Sequence, residues 1–311
     1  MRVLITGGAG FIGSHLADRL LARGDDVLVI DNLATGRVAN LAESPKLTFI
    51  EASIADAQVV SDAFAGFRPD HVVHAAASYK DPENWVEDTR TNVLGTVNVV
   101  NAARQFPAGR FVYFQTALCY GGQPLEQPIT LAHPIRPESS YAISKTAGEQ
   151  YIALSGLEFL SFRLANAYGP RNVSGPLPTF YQRLSTGKKC FVMNTRRDFI
   201  YVDDLVDVVE KALAGWGSSG YYHISSGADF AIKELYDETI RAMALEGLDE
   251  VEVRERGADD VLSILLDPSK TNRDFVWSVS TPLRDGVERT VASYRPFGIG
   301  ETYTHLRVAS E

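Results

Sequence analysis

The sequence predicts an α/β fold built on a doubly wound parallel sheet, followed by a smaller C-terminal α/β lobe. Three observations carry that prediction. Short β-branched runs alternate with amphipathic helical segments over the first half of the chain. Those runs are apolar throughout rather than every second residue, the pattern of strands buried on both faces. A glycine-rich turn, "TGGAGFIG", joins the first strand to the first helix.

The elements follow in order. "RVLIT" (2–6), "DVLVID" (26–31), "LTFIEA" (47–52), "HVVHAA" (71–76), "RFVYFQ" (110–115) and "EFLSFR" (158–163) read as strands. Helical patterns lie between them near 11–23, 56–66, 84–105 and 140–155. Right-handed crossovers between parallel strands then wind the sheet in both directions. After Asn166 the alternation weakens, and "NAYGPRNVSGPLPTF" reads as loop because it is dense in Gly and Pro. "VDDLVDVVEKAL" is a helix with Asp203 as its expected N-cap. "YYHIS" is a short strand, and "PLRDGVERTVASY" is a helix near the end. The expected division is a dinucleotide-binding domain over 1–165 with a return near 202–225. A substrate lobe is expected from 166–201 and 226–311.

With 311 residues, 45% of them hydrophobic and 22% charged, the chain has an ordinary globular composition. A formal net charge of −9 argues against nonspecific nucleic-acid binding. Cys119 and Cys190 make neither a disulfide framework nor a metal-ligand spacing, so no metal is expected. The N-terminus runs straight into strand pattern, and no apolar run approaches the roughly 20 residues of a membrane-spanning helix. The expectation is a soluble cytoplasmic protein.

Gly7, Gly10 and Gly13 stand three apart where the first strand becomes a helix. That spacing lets the backbone approach a pyrophosphate at a helix N-terminus, where N–H groups and the helix dipole face the anion. Asp31 ends the second strand 18 residues past Gly13. A carboxylate there accepts hydrogen bonds from the ribose hydroxyls of adenosine and repels a 2′-phosphate, which favours NAD over NADP. The reading is thus a Rossmann-type NAD site.

"SSYAISKTAGEQY" sets Tyr141 and Lys145 one helical turn apart. A tyrosine acting as base must lose a proton whose ordinary pKa is about 10. A neighbouring lysine cation lowers that value and can also hold a cofactor ribose. Thr116, in "FQTALCYG", falls at the carboxyl end of the fifth strand, where open α/β sheets keep their sites. Its hydroxyl can meet the substrate oxygen beside Tyr141, or else bond its own backbone as strand-end threonines do.

At this point the sequence resembles the extended short-chain dehydrogenase/reductases, and within them the NAD-dependent sugar-nucleotide epimerase/dehydratase group. "TGGAGFIG", "DNLATG", "HVVHAAA", "TNVLGTVNVVNAA", "YAISK", "RLANAYGPR" and "RRDFIYVDD" occur in that group's order and span nearly the whole chain. The resemblance implies Thr116, Tyr141 and Lys145 as the catalytic triad. It places Phe11 and Ile12 along the pyrophosphate, Asp31 and Asn32 at the adenosine, and Ala75 and Asn92 at the cofactor or its supporting helix. Asn166, Arg197 and Arg256 are implied at the diphosphate of a nucleotide sugar. Two arginines and an asparagine suit such an anion. A homodimer is also implied, paired through the helices near 84–105 and 140–155.

The chain departs from the group's pattern in places. Ser53-Ile54 stands where Asp-Ile or Asp-Leu is usual against adenine. "RERGADD" carries an extra alanine, which leaves Asp259 and Asp260 as alternatives. "AAASYKDPENW" is short and leaves open whether Tyr79 or Lys80 faces the substrate.

Relatives that dehydrate or decarboxylate a 4-keto sugar carry acidic residues just after the catalytic threonine. Here Ala117 and Leu118 stand there, and neither can transfer a proton. Cys119 falls one residue beyond the place of a proton-shuttling cysteine, so it points to the other face and reads as packing. Simple 4-epimerisation of a UDP-hexose or UDP-uronate needs no further catalyst. UDP-glucuronate is a first substrate to consider because Arg171, in "GPRNVSGP", can face a C6 carboxylate. A decarboxylase, a dehydratase or a net oxidoreductase of the same family is the alternative.

Overall fold

The structure is a computed structural model, and it describes residues 1–255, 262–296, 298–299 and 302. The first strand, β1 (Arg2–Thr6), lies at the centre of a seven-stranded sheet. Its side chains alternate between two cores: Val3 and Ile5 enter one and Leu4 the other. That double burial is why the strand is apolar without a break. Helix α1 (Phe11–Arg23) ends at Gly24, whose φ of +92° is the left-handed conformation that closes helices. β2 (Asp26–Asp31) and β3 (Leu47–Glu51) follow. Helix α2 (Ala57–Phe67) starts at Asp56, whose carboxylate accepts the Gln58 and Val59 N–H groups.

After β4 (His71–His74) the expected single helix is divided. A short α3 (Trp85–Asp88) passes into a wide π-helical stretch, Thr89–Gly95, before α4 (Thr96–Gln105). The wide turn coincides with Asn92, whose carboxamide is fully bonded, accepting from Ser78 N and donating to Ser78 O and to Ser144 Oγ. A helical register shift of this kind re-aims a side chain that regular turns would misplace. β5 (Phe111–Thr116), α5 (Ser140–Leu154) and β6 (Phe159–Leu164) complete the expected series. Ser139 caps α5 by accepting from Ala142 N at 3.2 Å.

Beyond Asn166 the chain is more ordered than its Gly and Pro content predicts. β7 (Asn166–Tyr168) and α6 (Pro176–Ser185) form inside the stretch that reads as loop. Pro176 sits in the first helical turn, where its missing N–H costs nothing, and Leu177 and Phe180 are buried. β8 (Phe191–Met193) and β9 (Arg196–Tyr201) lead into α7 (Val202–Leu213). The N-cap of α7 is Tyr201, not Asp203 as the sequence suggests; Asp203 lies within the first turn, where a carboxylate suits the helix dipole. β10 (Gly220–Ile224), β11 (Asp229–Ala231), α8 (Ile232–Met243), β12 (Glu252–Arg254), α9 (Ser269–Phe275) and α10 (Leu283–Tyr294) follow.

The large sheet runs β10-β6-β5-β4-β1-β2-β3, and every neighbouring pair is parallel. The strand "YYHIS" therefore returns to the sheet edge beside β6. A three-stranded sheet, β11-β9-β7, and a parallel pair, β12-β8, lie outside it. Among the described residues no helix is long and apolar enough to cross a membrane.

Buried carboxylates fasten the later segments. Asp204 accepts from Ser280 N at 2.9 Å, Ser280 Oγ at 2.6 Å and Thr281 N at 3.1 Å. This ties the first turn of α7 to the approach to α10. Asp204→Ala removes both acceptor oxygens and the three bonds they take, leaving the Ser280 and Thr281 N–H groups without this partner. The variant should lose about 2–4 kcal/mol of stability in denaturant unfolding, and Asp204→Asn should lose less. An unchanged midpoint would show that the clamp contributes nothing.

Candidate active site

The chain order of the sheet reverses between β1 and β4, and the crevice at the carboxyl ends of those strands is where such sheets bind ligands. A cavity of about 700 Å³ lies there. Its floor is the turn after β1. Gly7, Gly10, Phe11, Ile12 and Gly13 all line it. Gly7 has φ +70°, and a Cβ on it would stand 2.6 Å from Ala76 N, while a Cβ on Gly13 would overlap Gly7 O. Only glycine gives so tight a turn against the head of a helix, which is the shape a pyrophosphate needs.

Asp31 and Asn32 line the cavity at the end of β2. The Asp31 carboxylate accepts Ala9 N–H at 3.0 Å and Leu33 N–H at 2.8 Å. Burial pushes its pKa up, and these N–H bonds oppose the shift. The two bonds fix its orientation and leave oxygen lone pairs for further donors. Ser53 and Ile54 line the next stretch, after β3, so a serine does stand on the wall where an aspartate is usual. Ala75 lines it after β4. The cavity thus fits an extended dinucleotide.

Tyr141 and Lys145 reach the same cavity from the first turns of α5. Lys145 is 2% exposed, and its Nζ lies 4.1 Å from the centre of the Tyr113 ring. Tyr113 Oη in turn donates to Lys145 O at 2.9 Å. Burial lowers the Lys145 pKa from 10.5 to about 7, and the charge of Glu149 one turn on opposes it. Tyr141 differs from the sequence expectation. Its pKa is raised, first by burial and then by Tyr79 and Asp88. Loss of hydration at the phenolate outweighs any help from Lys145, whose charge is directed at the Tyr113 ring.

The other expected residues divide. Asn166 lines the cavity and donates to Asp198 O at 3.2 Å. Arg197 lies on the same face of β9 as the cavity-lining Phe199, and it donates to Arg196 O. Tyr79 and Lys80 both line the cavity, and the Tyr79 ring meets Tyr141 edge-on at 6.4 Å. Arg256, Asp259 and Asp260 lie outside the described residues.

Three further expected residues have partners within the protein. Asn92 takes the helix-supporting alternative: its carboxamide joins the Ser78 loop to Ser144 on α5. Thr116 ends β5 beside the lining residue Gln115; its Oγ1 accepts Leu118 N–H at 3.2 Å, capping the 3-10 turn Ala117–Tyr120, and the hydroxyl keeps its own proton for another partner. Arg171 is engaged on α1, ion-paired with Asp18 at 2.7 Å and donating to Ser14 Oγ at 3.1 Å. A loop guanidinium beside a helix carboxylate takes that local partner. Cys119 is fully buried in the core, and its pKa is pushed up to about 12 by burial, so it holds its proton. Sequence reading missed Phe114 and Gln115 on the cavity wall. Gln115 directly precedes Thr116 at the carboxyl end of β5, where open α/β sheets keep their sites, and that position is the signal that could have found it.

With fold and site in place, the chain belongs to the NAD-dependent epimerase/dehydratase family, whose model matches residues 3–224. It is an NAD-dependent enzyme of the short-chain dehydrogenase/reductase type. Among solved structures it is similar to the Bordetella bronchiseptica enzyme WbmH in complex with NAD+, at 57% identity and a TM-score of 0.93, over 96% of this chain and 99% of that one. WbmG of the same organism, in complex with NAD and UDP, is 43% identical with a TM-score of 0.92, over 99% of each chain. The UDP-glucose 4-epimerase of Mycolicibacterium smegmatis is 33% identical over 315 residues, 95% of this chain and 99% of that protein.

A lysine with a folded pKa near 7 binds fewer protons folded than unfolded between that value and its ordinary 10.5. Its burial cost is therefore full below about 7 and fades as pH rises towards 10.5. In cofactor-free protein, the stability gained by Lys145→Met relative to wild type should shrink steadily from neutral to alkaline pH. Denaturant melts across that range check it, and a difference independent of pH would contradict the lowered pKa.

Proposed function

We propose that the protein is a nucleotide-sugar 4-epimerase acting on a UDP-hexose. The observation that carries the reading is the composition of the catalytic wall. Tyr141 and Lys145 are the titratable pair facing the reaction space from α5, while Ala117 and Leu118 supply no acid or base after β5. Elimination and decarboxylation need proton transfers beyond the first oxidation, and this wall offers no carboxyl at that place. The likeness to a UDP-glucose 4-epimerase and to an enzyme solved with UDP supports the nucleotide.

When bound, NAD would supply a reversible hydride acceptor and a positively charged ring, held by the glycine-rich turn, Asp31 and Lys145. Tyr141 takes the proton of the sugar C4 hydroxyl and returns it when the 4-keto intermediate is reduced on its other face. Its raised pKa favours the protonated form, so returning the proton is the easier half of its task. Lys145 positions the cofactor ribose and adds positive charge against the developing phenolate. Thr116 retains its hydroxyl proton after accepting from Leu118, and donates it to the C4 oxygen. Asn166 and Arg197 serve the diphosphate from the second lobe, with Arg256 as the further cation.

The case for a uronate substrate does not rest on Arg171, which is engaged on α1. Lys80, on the cavity wall, is the cation that would meet a C6 carboxylate. The purified enzyme should interconvert a C4 pair of UDP-sugars without added cofactor, and Tyr141→Phe should cost about two to four orders of magnitude in kcat while leaving UDP binding intact. Release of carbon dioxide, or a net change in NADH absorbance, would instead establish one of the alternative reactions.

The functional unit is proposed to be a homodimer. Trp85, Val86 and Leu94 on the run into α4, and Ile143, Tyr151 and Leu154 on α5, are exposed apolar side chains on two helices that pack together. A charge on that face, as in Leu154→Glu, should convert the dimer to monomer in light scattering after size exclusion. A wild-type protein that is monomeric at micromolar concentration would exclude the arrangement.

A further inference from the structure

Gln115 stands on the cavity wall beside the catalytic helix, and its side chain is half satisfied. Thr116 N donates to Gln115 Oε1 at 2.8 Å. A backbone N–H can only donate, so the atom facing it is the oxygen, and the carboxamide orientation is fixed. The other end is therefore an NH2 group with two donors. Nε2 is buried and has no hydrogen-bond partner, and the residue is 2% exposed. Desolvating a donor without giving it an acceptor is unfavourable, and native proteins tolerate it mainly where a ligand or water completes the bond.

The surroundings explain the lack of an acceptor. Alternation along β5 places Gln115 on the same sheet face as Tyr113, one pleat nearer the cavity. On that face Lys145 Nζ lies over the Tyr113 ring, and Arg163, the register partner of Gln115 on β6, is bound to Glu149. The carboxylate of Glu149 is already taken by Arg163 at 2.8 Å and 3.1 Å. Among the described residues no acceptor reaches Gln115 Nε2.

We propose that Gln115 is a ligand-positioning residue whose Nε2 donates to a hydroxyl oxygen brought in by the bound molecules, alongside Lys145. The inference rests on the NAD-dependent sugar chemistry proposed above. Two hydroxyl sources share that chemistry: the nicotinamide-side ribose of the cofactor and the hexose itself. In either case the ligand supplies the acceptor that the protein lacks, so the orphaned donor is a selective feature for polyhydroxylated ligands.

The test uses Gln115→Glu and Gln115→Met in the full chain. Glutamate keeps an acceptor for Thr116 N and exchanges the donor for a second acceptor; methionine keeps the volume and removes both functions. NAD affinity of stripped protein is measured by calorimetry, then UDP-sugar affinity and kcat/KM with NAD saturating, and thermal unfolding throughout. A loss of roughly tenfold or more in NAD affinity in both variants assigns the bond to the cofactor ribose. Unchanged NAD affinity with a similar loss for the UDP-sugar, while UDP alone binds as before, assigns it to the hexose. NAD and UDP-sugar binding both within about twofold of wild type, in either variant that folds, overturn the proposal. A wild-type enzyme that binds both ligands but epimerises no sugar refutes the functional reading while leaving the binding arms decisive for Gln115.

Discussion

The burial of one ammonium group organises this site. Lys145 is enclosed between α5 and β5, and its Nζ rests on the face of Tyr113 instead of on a carboxylate. An aromatic face repays only part of a cation's hydration, which is why the lysine is driven towards neutrality. Every neighbouring feature follows from holding it there. Tyr113 reaches up to bond the Lys145 carbonyl, Asn92 ties the same helix through Ser144, and Glu149 one turn on adds a distant negative charge. A lysine so placed responds strongly to any negative or oxygen-rich group entering the cavity, because little else in its surroundings competes.

The same economy of charge runs through the rest of the molecule. Glu149 is paired with Arg163, which also donates to Tyr120 Oη at 2.8 Å; Tyr120 Oη bonds His223 Nε2, and His223 Nδ1 meets Asp267 O. Burial lowers the His223 pKa to about 4, so that ring is neutral and the chain of bonds carries one ion pair only. Asp198, also buried, gathers Ser225 and Ser226 beside β9. Polar groups buried in this way are stable only when each has a partner, and removing one member costs more than the bond itself is worth. They fasten the strands and loops of the later half to the large sheet, and so fix the distance between the two walls of the cavity.

Much of this was legible in the sequence, and the reasons are specific. The six strands and the helices between them were readable because parallel, doubly covered strands must be apolar throughout. Gly7 and Gly13 were readable because only glycine fits where a side chain would strike backbone. What the sequence leaves open has another cause. Asn92, Thr116 and Arg171 are polar groups whose partners are set by three-dimensional neighbours: the Ser78 loop, the Leu118 N–H and Asp18. A resemblance transfers a residue's position but not the bond its side chain makes. The π-helical stretch at Thr89–Gly95 was unreadable for a related reason, since its sequence is compatible with regular helix and the widening coincides with contacts made elsewhere. Tyr141 shows the limit of pairwise reasoning. A lysine four residues on predicts a lowered phenol, yet burial acts on both groups and raises the one while lowering the other.

That opposition bears on which chemistry the site can support. A phenol held protonated beside an amine lowered to about 7 forms a poor resting base, since the phenol keeps its proton and the amine is only partly charged at neutral pH. The pair becomes effective only if a positive group arrives and stays, because then phenolate formation is favoured at the moment of oxidation and disfavoured once the positive charge is gone. Such a site suits a reaction that returns its cofactor to the starting state within each turnover. A net dehydrogenase would have to release the reduced cofactor from the same deep cavity every cycle. The absence of any side-chain acid at Ala117 and Leu118, and the inert Cys119 behind them, add nothing that would divert a keto intermediate before it is reduced. On the proposed reading, such a wall suits reversal of the first step better than any onward one, and reversal with the sugar turned is inversion at C4.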